Sequence, residues 1–184
     1  MTTDSWSRRR PAVAAALVII TLTIVPAACK RQKRVMVQTV EESQALASVV
    51  ATADPHVATQ LLSGFYGVEQ NAWRWTTGRF SVALRPPRNA AVKGAALQLK
   101  FAIPDVAIPR MKGVSLSAYV NGTALPPETY TQAGQFEYVR DVPANLLTGE
   151  TTRVDFSVYK TMPPTPSDKR ELGVVVSLIG LQAK

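Results

Sequence analysis

From Trp73 onward, apolar and polar residues alternate with a period of two. Phe80, Val82 and Leu84 alternate with Arg79, Ser81 and Arg85, and Leu97, Leu99, Phe101 and Ile103 with Gln98, Lys100 and Ala102. Val114, Leu116, Ala118 and Val120 alternate with Ser115, Ser117 and Tyr119, and Val154, Phe156 and Val158 with Arg153, Asp155 and Ser157. Successive side chains of an extended strand point to opposite faces, so each run predicts a strand with one core face and one wet face. Residues 172–181 are apolar on both faces and predict a central, covered strand. Asn121-Gly122, set between Val120 and Thr123, is a two-residue hairpin signal, because both central positions of that turn require positive φ. Gly134, Gly149 and the pairs Pro86-Pro87, Pro126-Pro127 and Pro163-Pro164 punctuate the connections. Seven or eight short strands without interleaved helices predict a mainly β domain over 64–184. The expected architecture is an antiparallel β-sandwich of jelly-roll or immunoglobulin-like type.

Upstream the period lengthens. Thr39 and Glu42 have the spacing of a capping box, and Leu46, Val49, Val50 and Ala53 follow at helix-like intervals. Asp54-Pro55 stops that pattern and can cap a second one. There Val57, Ala58, Leu61 and Leu62 would form a buried stripe and Gly64 a stop. One or two short helices are predicted over 39–63.

The N-terminus carries a third pattern: Arg8-Arg9-Arg10, an apolar run from Ala12 to Val25, then Pro26-Ala27-Ala28-Cys29. A basic start, a short apolar middle and small residues at the end predict a secretory signal peptide over 1–28. The placement of Cys29 resembles the lipobox of bacterial lipoproteins. That resemblance implies that Cys29 is acylated and becomes the first mature residue, although Pro26 stands where the family usually has an aliphatic residue. The alternative is an uncleaved transmembrane anchor, for which the apolar run falls short of about 20 residues. On either reading the protein is exported and anchored in the bacterial cell envelope. Lys30, Arg31, Lys33 and Arg34 make 29–38 a basic tether suited to anionic headgroups.

The formal net charge of +8 is therefore partly explained by the N-terminus. The remaining cations are scattered among acids instead of lining one element, which excludes a nucleic-acid partner. Cys29 is the single cysteine, so no intrachain disulfide holds the fold. Metal-protease, redox, nucleophile-elbow and phosphate-loop motifs are all missing. The lone histidine, His56, falls at a helix start as a surface residue. Asp105, Asp141, Asp155, Asp168 and Glu171 fit turns or outward strand positions better than a catalytic pair. No catalytic residue, cofactor or metal is expected.

One segment stands apart: Gly64-Phe65-Tyr66-Gly67-Val68-Glu69-Gln70-Asn71-Ala72-Trp73-Arg74-Trp75-Thr76. Strand alternation puts Trp73 and Trp75 on one face and Arg74 on the other. Tyr66, Glu69, Trp73, Arg74 and Trp75 supply the aromatic, acidic and guanidinium groups of a sugar site within ten residues. Alternatively Trp73 and Trp75 are core anchors, and Glu69 pairs with Arg74 or Arg79. The G-F-Y-x-x-E-x-x-x-W-R-W-T pattern resembles the start of accessory β-sandwich domains in bacterial cell-surface polysaccharide proteins and short envelope lipoproteins. Asp168-Lys169-Arg170-Glu171-Leu172-Gly173 is similar to the stretch before their last strand. The resemblance implies the sandwich and an envelope setting, and brings no catalytic residues. Arg170 and Glu171 are expected to be structural, with Glu171 accepting hydrogen bonds from Arg74 or Arg79. The functional expectation is a membrane-tethered, non-enzymatic β-sandwich that binds glycan or another envelope component. The alternatives are an assembly lipoprotein contacting a protein partner and, third, an enzyme acting on envelope polysaccharide.

Overall fold

The structure, a computed structural model, describes residues 45–184. The signal segment, Cys29, the basic tether and the Thr39/Glu42 capping box lie outside the described residues. The elements run β1 (Val49–Ala51), a 3-10 turn (Pro55–Gln60), β2 (Leu61–Glu69), β3 (Trp73–Leu84), α1 (Ala90–Lys93) and β4 (Ala95–Ile103). They continue with α2 (Ile108–Met111), β5 (Val114–Val120), β6 (Thr123–Ala124), β7 (Glu128–Tyr130) and β8 (Gly134–Val142). A second 3-10 turn (Ala144–Leu146), β9 (Thr152–Tyr159) and β10 (Val175–Ala183) complete the domain.

Every strand pair is antiparallel, in the order β6-β5-β9-β3-β10-β4-β8, with β1 added to β10, β2 to β3 and β7 to β5. The long β3 takes part in both layers. Its first residues pair with β10 (Arg74 with Val176, Trp75 with Val175), and its last six pair with β9, from Arg79–Ser157 to Leu84–Thr152. A strand that changes partners along its length turns one hydrogen-bonded sheet into two packed layers. One layer holds β10, β4 and β8; the other holds β9 and β5. The core lies between them, built from the inward halves of the alternating runs: Phe80, Val82, Leu84, Leu97, Leu99, Phe101, Leu116, Val154 and Phe156 are all buried. Phe80 stacks on its ladder partner Phe156 with ring centroids 4.8 Å apart. β10 is central and largely buried, as its two-faced apolarity requires. The Asn121-Gly122 turn has φ of 47° and 85°, and Asn121 fastens it by accepting from the Arg153 N–H and donating to the Leu146 carbonyl.

The helices expected over 39–63 are corrected wherever that range is described. Val49–Ala51 is a strand, because Val50 alone of its run is fully buried and the β10 edge offers it a ladder beside Ile179. A short apolar run satisfies helix and strand spacing equally well, and the available partner decides. The Asp54-Pro55 signal does start a helical turn, with Asp54 Oδ1 accepting from the His56 N–H. It lasts only to Gln60, and Leu61 and Leu62 already belong to β2. Gly64 is not a stop but sits inside β2 at φ 78°, where an added Cβ would lie 2.1 Å from the Arg79 carbonyl oxygen.

Candidate functional site

β3 begins at Trp73 directly after a turn in which Gln70 and Asn71 both take positive φ. Cross-strand partners in an antiparallel ladder share a face. Trp75 is opposite Val175, Val175 opposite Ala102, and Ala102 opposite Gln135, so these four form one row across β3, β10, β4 and β8. Lys100 and Glu137 form the next row on that face. Trp73, two residues before Trp75, shares it. Trp75 is only 8% exposed and packs edge-on against Trp73, with centroids 6.3 Å apart. An exposed double-tryptophan platform is therefore corrected: Trp75 belongs to the core, and Trp73 alone stays half-buried at the surface.

Beside Trp73 lies a shallow cleft of about 350 Å³. Val175 and Ala102 line it with apolar surface, and Lys100, Gln135, Glu137 and Ser177, all exposed, supply polar groups. Glu137 is set in place from the next row of the same face. Its Oε1 accepts from the Gln98 side-chain amide, and the Gln98 side-chain oxygen Oε1 accepts in turn from the Gln182 side-chain amide. Gln98 is buried, so this relay orders Glu137 on the sheet instead of leaving it to solvent. The cleft thus offers an aromatic face, an acceptor, a cationic donor and two groups that both donate and accept.

The other expected site residues are spent on structure. Arg74 reaches inward, donating from Nε to the Thr52 carbonyl at 2.6 Å and from Nη1 to the Tyr66 carbonyl at 2.9 Å. Tyr66 donates its hydroxyl to the Glu171 carbonyl at 2.9 Å, and the Arg170 guanidinium lies 5.2 Å from its ring centroid. Glu69 pairs with neither Arg74 nor Arg79; its partner is Arg170, at 2.8 Å. The expected arginine contact to Glu171 is likewise corrected: the Glu171 carboxylate accepts from the Thr161 hydroxyl at 2.8 Å. The segment before the last strand is still tied to the first part of the domain, with Arg170 as the tie. Arg170 also holds Asp168 at 2.8 Å, and its side-chain hydrogen bond lowers the Asp168 carboxyl to about 2. The same bond to Asp168, then the one to Glu69, raises the Arg170 pKa.

His56 is exposed. Among the described residues, no group of three or more histidine, cysteine or acidic side chains is gathered to hold a metal ion, and no helix is long and apolar enough to cross a membrane. Lys100, Gln135, Glu137 and Ser177 escape sequence reasoning because nothing local marks them. Each is an ordinary outward residue of an alternating strand, and only the register of β10, β4 and β8 brings them beside Trp73.

No protein-family model and no curated protein sequence matches the chain. Solved structures similar to it include a carbohydrate-binding module described for specific mannan recognition, at 12% identity and a TM-score of 0.44, covering 76% of this chain and 98% of that one. A second is the CBM36-1 domain of a multidomain xylanase from the hindgut metagenome of Trinervitermes trinervoides, at 10% identity and 0.43, covering 74% and 96%. A third is dimeric latent PorU from Porphyromonas gingivalis, at 14% identity and 0.40, covering 56% of this chain and only 10% of that one.

Proposed function

We propose that this protein is an exported, membrane-tethered β-sandwich that binds a neutral glycan of the cell envelope and does not turn it over. The observation that carries the reading is the Trp73 cleft, where a half-buried indole stands beside exposed polar side chains of β4, β8 and β10, with Glu137 among them held by Gln98. A pyranose presents an apolar C–H face and hydroxyls that donate and accept. An aromatic ring with a few placed polar groups matches both. The non-enzymatic part rests on the cleft's single carboxylate, Glu137, because general glycoside hydrolysis uses two. The tether rests on the Arg8–Cys29 pattern.

The test is titration of the full chain in detergent with neutral manno-, xylo- and gluco-oligosaccharides, followed by calorimetry and tryptophan fluorescence. Trp73→Ala and the surface double variant Gln135→Ala/Glu137→Ala should each weaken binding about tenfold or more, as loss of about 1.4 kcal/mol requires. The double variant should still unfold in one cooperative transition, at a Tm lowered by the buried Gln98 amide that Glu137→Ala leaves without its acceptor. If none of these sugars binds at millimolar concentration, or the double variant binds as wild type does, the cleft is not a glycan site. Labelled palmitate should enter the wild type in cells and fail to enter Cys29→Ser; no labelling of the wild type would replace the lipid with an uncleaved anchor.

A further inference from the structure

The opposite layer carries a second outward face of different chemistry. Ladder register sets three rows across β3, β9 and β5: Ser81–Asp155–Tyr119, Arg79–Ser157–Ser117, and Tyr159–Ser115, which β7 extends with Thr129. Ser63 of β2 joins the first row through a 2.7 Å contact between its hydroxyl and that of Ser81. This face is floored by hydroxyls and carries two exposed aromatic rings, Tyr119 at 37% and Tyr159 at 69% exposure.

Its charges are unequally engaged. Asp155 is already neutralised by Arg153, which donates from Nε and Nη2 at 2.8–3.0 Å. Arg79 is exposed, and no carboxylate among the described residues lies within ion-pair distance of it. Two clefts meet there, of about 520 Å³ toward Tyr119 and about 600 Å³ toward Tyr159, and both are lined by Arg79 and Ser157. Lys160 adds a second cation to the far cleft, where the Glu171 carboxylate is bonded to Thr161. Tyr159 lies four residues along β9 from Asp155, the partner of Tyr119. At about 3.3 Å per residue the two rings stand roughly 13 Å apart along the strand, with Arg79 beside the midpoint.

We infer that this face is a second binding site, for an extended glycan bearing carboxylates, such as a uronate oligomer. A guanidinium lacking a carboxylate partner recognises a carboxylate by paired N–H donors. Serine hydroxyls serve the neighbouring sugar hydroxyls, and a tyrosine at each end offers a ring for stacking. The site does not depend on the Trp73 cleft, which lies on the other layer and lacks an unengaged arginine.

The experiment is calorimetric titration of the full chain in detergent with tetragalacturonate, its methyl ester, and acetate. Tetragalacturonate should bind the wild type, the ester should bind about tenfold more weakly or worse, and the affinity should fall as salt rises. Arg79→Gln should lose about tenfold or more without a change in melting temperature, and Tyr159→Ala, also at an exposed position, should weaken binding in the same way. Trp73→Ala should leave tetragalacturonate affinity intact, which separates this site from the neutral-glycan cleft. The inference is overturned by absence of saturable tetragalacturonate binding, by Arg79→Gln binding as wild type does, or by acetate matching the oligomer. It is equally overturned if Trp73→Ala abolishes tetragalacturonate binding.

Discussion

Arg170 offers the sharpest test of how the loop before β10 is held. Its guanidinium contacts Glu69 across 101 residues of sequence, Asp168 two residues away, and the face of Tyr66. Only the first and third contacts close the domain; the second orders the loop. Side chains of Arg170 and Glu69 are each 34% exposed, so solvent screens the pair and its coupling belongs near the upper end of surface values, about 0.5–1 kcal/mol. The cation over the Tyr66 ring adds about 0.5–1 kcal/mol. Arg170→Ala should thus cost about 1–2 kcal/mol, a fall in Tm of about 3–7 °C for a domain of this size. Glu171→Ala removes one exposed hydrogen bond to Thr161 and should cost under about 1 kcal/mol. The assay is urea unfolding of wild type, Glu69→Gln, Arg170→Met and the double variant, at low salt and again at 1 M NaCl. The cycle should return about 0.5–1 kcal/mol at low salt and less at high salt. A coupling near zero at low salt, or Glu171→Ala costing more than Arg170→Ala, would refute this account of the tie.

Two further outcomes follow from local geometry. Gly64→Ala places a methyl 2.1 Å from the Arg79 carbonyl oxygen at a φ of 78°, and should destabilise the domain by about 3 kcal/mol or more, read from the urea midpoint. Asp168, held at about 2 by the Arg170 hydrogen bond, has a folded pKa below its unfolded value of about 3.9. Its contribution is therefore fully present above about pH 4 and lost as pH falls toward 2. The Tm gap between wild type and Asp168→Asn should close over that window, and a gap unchanged from pH 5 to pH 2 would contradict the assignment.

The chain by itself determined what depends on local spacing. Period-two runs name the core residues of β3, β4, β5 and β9, because burying one face of a pleated strand demands alternation whatever the partner is. Asn121-Gly122 is legible for the same reason, since its backbone angles are a property of the dipeptide. What only the tertiary structure decided is non-local. Val49–Ala51 became a strand because the edge of β10, more than 120 residues away, had ladder groups to fill. Trp75 went to the core and Trp73 stayed at a cleft although two residues of one alternation separate them, since burial depends on what the neighbouring strands place beside each ring. Glu69 found Arg170 in place of the nearer Arg74, whose guanidinium was already held by the backbone carbonyls of Thr52 and Tyr66. Both candidate binding faces have this character: their side chains come from strands far apart in sequence, and strand register, which alternation alone does not encode, puts them in one row.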